Sequence, residues 1–221
     1  MRHIKKKKLC QDFENFIKDN KLDKYLDKYI EDSSLKASPW RKFTNETDGG
    51  TKVKRKLANH LYKEQKGLCI YCQQSFFGAL INRRLSEFSH IEHIKPKAKK
   101  RYPENTFNQN NLTLSCNGFN CNILENENEK EFCGHNKDQK FDKNLFLNPI
   151  EVVDIEKYFE YKINGEIQIS DELGDDKKKR SEYMIEILDL NNEQLIDMRR
   201  LNYIEIAENH ENEIDEFLDE M

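Results

Sequence analysis

Five of the six cysteines fall between positions 69 and 133, and the first two stand as Cys69-Ile70-Tyr71-Cys72. That spacing constrains the fold more than any other feature. A C-x-x-C knuckle presents two thiolates to one tetrahedral ion, and a second pair must complete the set. The candidates are Cys116, Cys121 and Cys133, in "LSCNGFNCN" and "EFCGHNK". One set is Cys69, Cys72, Cys116 and Cys133; the other replaces Cys133 with Cys121 and keeps the second knuckle shorter. The first is preferred, because the second leaves "CGH" without a role. A redox pair would need a βαβ pattern that the flanking sequence lacks. Cys10 lies apart in a helical pattern and reads as a buried free thiol. The basic start "MRHIKKKK" is followed by no apolar segment, and no apolar run approaches the ~20 residues of a membrane span. A cytoplasmic location without membrane contact is expected, where cysteines hold metal before they form disulfides.

Periodicity supplies the frame around this centre. Phe13, Phe16, Ile17, Leu22, Tyr25, Leu26, Tyr29 and Ile30 recur at helical spacing, so one or two short helices are expected over 9–32. "SSLKASPW" and "TNETDGGTK" break the pattern, with Gly49-Gly50 as a turn. Leu57, Leu61 and Tyr62 predict a helix over 54–65, with Gly67 as its C′ cap. "YFEYKINGEIQIS" alternates on both sides of Asn164-Gly165 and predicts a β-hairpin. "DELGDDKKKR" reads as a polar linker. Two helices follow, the first with Tyr183, Met184, Ile187 and Leu188 on one face. The second is capped by Asn191 with Gln194 as capping-box partner, and continues through Leu195, Ile196, Met198 and Leu201. The expected organisation is a helical segment over 1–56, a metal-stapled centre over 57–150, and a hairpin with acidic helices over 151–221.

Charge is divided unevenly. The net charge of −4 conceals 13 Lys and Arg against 3 Asp and Glu over 51–101, and 8 against 22 over 151–221. The basic window can face a polyanion and the acidic tail cannot. The reactive residue types lie in and just beyond that basic window. "SHIEHIKPK" places His90, Glu92 and His93 on a strand that Pro96 ends. Alternation sends Glu92 and His93 to opposite sides. A neutral imidazole can take a proton from water, and a carboxylate suits a hard divalent cation. Downstream stand Asn111, before the apolar pair Leu112 and Leu114, and His135, two residues after Cys133.

The order C-x-x-C, Glu-His, Asn, Cys, Cys-x-His resembles the HNH endonucleases over roughly residues 57–147. "EHIKP" carries Glu where the general pattern has Asp, and "NNLTLSC" is one residue shorter than the family form. Together with "MRHIKK", "EQKGLCIYC", "CGHNK", the hairpin and "ILDLNNEQLIDMRR", the chain is similar to the PtuB-type HNH nucleases of Septu and related retron anti-phage systems, which act beside a PtuA ATPase. The resemblance implies an α+β fold, a zinc-knuckle ββα-metal (HNH) core with flanking helices and a β-hairpin. It implies His93 as general base, Glu92 and His135 as holders of a catalytic Mg²⁺ or Mn²⁺, and Asn111 orienting His93 and the loop backbone. Structural Zn²⁺ would sit on the cysteines. Asn122, after Cys121, is the alternative to His135. From charge and position, Lys95, Lys97 and Lys137 are expected to contact phosphates. His90 has no assigned role, and Trp40 is expected in the core. The functional expectation is a nuclease acting on nucleic acid, DNA before RNA, with a PtuA-like ATPase. The rival readings are a non-catalytic zinc-ribbon adaptor and an RNA-cutting toxin using the same site. The acidic terminal helices are expected to dock the ATPase.

Overall fold

The computed structural model describes residues 1–76, 85–118 and 131–219, with side chains up to 206 in the last helix. Its elements are helices and two small antiparallel sheets, an α+β arrangement. Helices α1 (Gln11–Asp19) and α2 (Leu22–Glu31) form where the apolar spacing places them, burying Phe13 and Ile17 on α1 and Leu22, Leu26 and Tyr29 on α2. The supposed breaker after α2 contains structure of its own. Ser38 caps the short α3 (Pro39–Arg41) by accepting from the Arg41 N–H, and a π-helical turn (Lys42–Glu46) continues it. This turn delivers Phe43 into an aromatic cluster, 5.4 Å from Phe13 and 5.3 Å from Trp40 between ring centres.

Helix α4 (Gly50–Glu64) starts four residues earlier than its apolar face suggests, directly after Gly49. Its C-terminal cap is shifted by one residue. Lys66 takes the left-handed position at φ 55°, and the Gly67 N–H closes the turn on Tyr62 O at 2.8 Å. The chain then reverses through the knuckle, with Leu68 bridged to Ser75.

After α5 (Leu85–Phe88), strands β1 (Ser89–His93) and β2 (Leu112–Cys116) pair antiparallel, with His90 opposite Ser115 and Glu92 opposite Thr113. The outer edge of β2 is covered by a side chain. Gln65 donates to Leu114 O at 2.9 Å and accepts from Leu114 N–H at 2.6 Å, so its amide acts as one residue of a neighbouring strand. The single-turn helix α6 (Gly134–Lys137) follows Cys133.

The hairpin pairs β3 (Phe159–Tyr161) with β4 (Ile167–Ile169). Its loop is longer than a two-residue turn. The Gly165 N–H donates to Lys162 O, Lys162 N–H donates to Glu166 O, and Gly165 sits at φ 89° as the left-handed residue after the turn. A Cβ at Gly165 would lie 2.1 Å from Ile196 O. Gly165→Ala is therefore expected to cost about 1–3 kcal/mol, through φ strain and displacement of the hairpin from the last helix, read as a lower urea midpoint.

Of the expected polar linker at 171–180, only 171–174 lies outside a helix; 175–180 is the start of α7 (Asp175–Ile187), whose first-turn Asp175 and Asp176 suit a helix N-terminus. The last helix, α8 (Glu193–Asp219), begins one residue later than expected. Asn192 is its cap, accepting from Gln194 N–H, while Asn191 pairs with the backbone of Ile167 in both directions. No described helix is long and apolar enough to cross a membrane.

A single hydrophobic cluster draws on all three expected segments, from Met1, Ile4 and Phe13 through Leu57, Ile91 and Leu114 to Met184 and Leu195. The N-terminal segment is thus built into the core. The Ile4 N–H donates to Pro149 O, and Cys10 N–H to Gln109 Oε1. Lys6 reaches Glu64 at 2.7 Å and Leu112 O at 2.6 Å.

Candidate functional site

Four cysteines converge from three separate segments. Cys69 and Cys72 come from the knuckle, Cys116 from the end of β2, and Cys133 from the residue before α6. Their sulfurs all lie within 4.8 Å of one another. The Cys72 and Cys116 sulfurs are 3.8 Å apart, and ligands at ~2.3 Å from a tetrahedral ion stand ~3.8 Å apart. The donor set therefore fits a metal ion such as zinc. The preferred set is the one brought together; Cys121 and Asn122, the alternatives, lie outside the described residues. Burial pushes the Cys69 thiol up, but hydrogen bonds from Cys116, Cys133 and Cys72 outweigh it and hold Cys69 well below its ordinary value. The Cys116 backbone N–H also donates to the Cys69 sulfur at 3.3 Å. Cys133 is held at φ 57°, with its N–H on Leu188 O at 2.7 Å. The turn this forces at Cys133 is stabilised by α7 packing behind it. Cys10 is a buried free thiol away from this cluster.

The knuckle also reaches the other expected site. Tyr71, between its two cysteines, is fully buried and donates its hydroxyl to Glu92 Oε1 at 3.1 Å. Glu92 lines a cleft of about 410 Å³ together with His90, His93, Lys97, His135 and Asp138. The cleft lies at the open end of β1, against the turn of α6. Ser38 adds a wall from the N-terminal segment, and Trp40 beside it packs edge-on against the His93 ring at 4.6 Å. Trp40 is half-buried, and it packs on the aromatic core and on His93 at once.

His93 is 5% exposed. Its Nε2 lies 3.1 Å from Thr106 O. A carbonyl only accepts, so Nε2 carries the proton and Nδ1 carries the lone pair. That Nδ1 is buried and makes no hydrogen bond. Burial, followed by the charge of Lys97, lowers the His93 pKa to about 3, so the ring is neutral across the physiological range. The side-chain hydrogen bonds of Asn111 go to the loop backbone and not to the ring. Its Oδ1 accepts from Lys95 N–H at 2.7 Å, and its Nδ2 donates to Lys95 O and Asn105 O. Asn105 precedes Thr106, so Asn111 pins the loop whose carbonyl sets the His93 tautomer. Its contacts are with the loop backbone, and it reaches His93 only by way of Thr106.

Lys137 departs furthest from expectation. It is fully buried and cannot stand at the surface as a phosphate contact. Its ammonium lies 2.8 Å from Glu92 Oε1 and donates to His93 O at 3.2 Å. Burial alone would push the Glu92 carboxyl up, but the charge of Lys137 and then the contact with His90 reverse this and hold it at about 2. Glu92 is accordingly a carboxylate with one oxygen committed to Lys137 and Tyr71. Lys95 and Lys97 are half-exposed, Lys97 in the cleft with its ammonium 6.0 Å from the centre of the Trp40 ring. His135 stands half-exposed on α6, its ring centre 4.2 Å from that of His90, and burial first of all lowers its pKa. No sequence pattern singles out Thr106, because it acts through its backbone. The signal for Tyr71 is its place inside the knuckle.

Comparison with family models finds no match, and no curated protein matches the chain.

Proposed function

We propose that the chain is a metal-dependent endonuclease of the HNH type, hydrolysing phosphodiester bonds in nucleic acid with DNA preferred. The observation that carries this reading is the buried His93 Nδ1, a lone pair without a hydrogen-bond donor, on a ring whose other nitrogen is fixed by Thr106 O. A histidine kept neutral and locked in one tautomer at a cleft is arranged to accept a proton. The order β1, β2, α6 around the four cysteines is compatible with a ββα-metal core, and zinc is the ion proposed for that cluster.

In this reading His93 Nδ1 takes a proton from the attacking water while Thr106 O holds the ring. Glu92, kept ionised by Lys137, and His135 would hold a Mg²⁺ or Mn²⁺ ion. That ion supplies charge to offset the phosphate and the leaving oxygen when bound. Lys97, and Lys95 at the cleft edge, meet flanking phosphates. Burial is the main cause that depresses His93, and a phosphate beside Lys97 counters the second, the Lys97 charge. The assignment to an anti-phage system with a PtuA-like ATPase rests on the resemblance to PtuB-type nucleases. Leu201, Tyr203, Ile204 and Ile206 stand exposed on the acidic α8 and are the face proposed for that partner.

The test is plasmid and RNA cleavage with Mg²⁺ or Mn²⁺, by the protein alone and with the ATPase. His93→Ala is expected to lower the rate by about 10²–10⁴-fold while the fold and cysteine-bound metal persist. Equal cutting by wild type and His93→Ala overturns the mechanism. Activity that survives His93→Ala and Glu92→Ala but is lost in Cys72→Ser supports the adaptor reading. Faster cutting of RNA than of DNA reassigns the substrate.

A further inference from the structure

His90 sits beside the proposed metal ligands, and its surroundings assign its protons. Asn117 Nδ2 donates to Ser86 O at 3.3 Å and to Glu87 O at 3.0 Å. Both partners are carbonyls, so the amide has one orientation, with Oδ1 turned to His90 Nδ1 at 3.2 Å. An amide oxygen only accepts, so Nδ1 holds the proton and, in the neutral ring, Nε2 holds the lone pair. That lone pair faces Glu92 Oε2 at 3.6 Å. Two electron-rich atoms turned toward each other call for a cation between them. The other Glu92 oxygen is already committed to Lys137 and Tyr71, so the carboxylate has one oxygen to give.

A second feature at the same atom is independent of this hydrogen-bond pattern. A Cβ on Gly134 would stand 2.7 Å from His90 Nε2. The start of α6 thus packs closely on His90 Nε2 and on Ser115, 2.9 Å from its Oγ by the same construction, and the His135 ring centre lies 4.2 Å from that of His90.

We propose that His90 Nε2 is a third ligand of the cation proposed for Glu92 and His135, so that the site is a two-imidazole, one-carboxylate site selective for a transition-metal ion over Mg²⁺. The inference rests on the nuclease reading of the cleft and adds the class of metal it takes. Two imidazoles with one monodentate carboxylate suit Mn²⁺, Fe²⁺ or Co²⁺, whereas Mg²⁺ favours oxygen ligands and retained waters. The outer partner is in place as well, since Asn117 fixes the ring as carbonyls and carboxylates fix metal-bound histidines elsewhere. The three side chains are less tightly gathered than the four thiols, and a cation would draw them together.

The test uses the full chain with its cysteine cluster loaded, titrated with Mn²⁺ and followed by electron paramagnetic resonance, with electron spin-echo modulation to count coordinated nitrogens. Wild type is expected to bind one Mn²⁺ with two imidazole nitrogens and to resist displacement by Mg²⁺. His90→Gln is expected to show one nitrogen and at least about tenfold weaker Mn²⁺ binding. Gly134→Ala, with folding checked by circular dichroism and metal content, is expected to weaken Mn²⁺ without removing a ligand. If His90 is instead an imidazolium paired with Glu92, His90→Gln will bind Mn²⁺ as well as or better than wild type, and the proposal falls. It falls also if wild type shows a single nitrogen or no Mn²⁺ beyond the cysteine cluster. Those results leave the nuclease reading to the His93→Ala cleavage assay, which needs no third ligand to succeed.

Discussion

Cys69→Ser is expected to abolish cooperative folding, leaving a chain with no near-ultraviolet circular dichroism and no tightly held metal. The four thiols join the knuckle, the end of β2 and the residue before α6, segments that share little regular pairing with one another. A structural zinc site contributes ~10–16 kcal/mol of folding free energy in small domains, whereas whole domains are stable by only ~5–15 kcal/mol. Losing the ion with one of its ligands therefore removes an amount comparable to the entire stability, and the three remaining thiols are left without the ion that joined their segments. Two controls sharpen the result. Cys10→Ser changes a lone buried thiol and is expected to fold with a loss of about 1–3 kcal/mol. Cys121→Ser is expected to retain the metal, because the four gathered sulfurs already complete a tetrahedral set. A Cys69→Ser protein that unfolds cooperatively with one metal bound would show that the cluster is not a staple, and a Cys121→Ser protein without metal would move the ligand set.

How much of this the sequence carried depends on the range of each signal. The C-x-x-C knuckle, the helices around Phe13, Leu26 and Leu57, and the alternation on either side of Asn164-Gly165 are local patterns, and each became the expected element. Boundaries slipped by one residue at Gly67 and Asn191, where adjacent residues can each cap and tertiary contacts choose. Asn191 was drawn to Ile167, leaving the cap to Asn192. The acidic and basic run 175–180 carries almost no apolar signal, and it is helical because Met184 and Ile187 anchor the turns that follow. The candidate site was legible as residue types and much less as contacts. His93, Glu92 and Asn111 could be named from the motifs that carry the resemblance to HNH nucleases. That Thr106 would fix the His93 ring, and that Asn111 would act one peptide removed from it, depends on the loop between β1 and β2. Lys137 was misplaced for a general reason: lysine is rarely buried unless paired, and its partner Glu92 is 45 positions away.

That buried pair gives the second large effect, measured by urea unfolding across pH without added divalent cation. Lys137→Met is expected to cost about 3–5 kcal/mol at pH 7, because Glu92 is left as an uncompensated charge in the protein interior. The pH dependence should invert. In wild type the folded Glu92 pKa is about 2, below its ordinary 4.5. The group therefore stabilises the fold fully above pH 4.5, by about 3 kcal/mol, and that contribution is lost as pH falls toward 2. Without the ammonium, burial becomes the leading influence and raises the carboxyl above 4.5. Lys137→Met should then gain stability as pH is lowered from 7 to 5, where wild type is flat or declining. The double change Glu92→Gln with Lys137→Met removes both charges and is expected to recover most of the loss at pH 7, the coupling that marks a buried pair. A Lys137→Met protein as stable as wild type at pH 7, with an unaltered pH profile, would mean that Glu92 does not depend on Lys137 for its charge. The ionised state proposed for Glu92 in the cleft would then lose its main support.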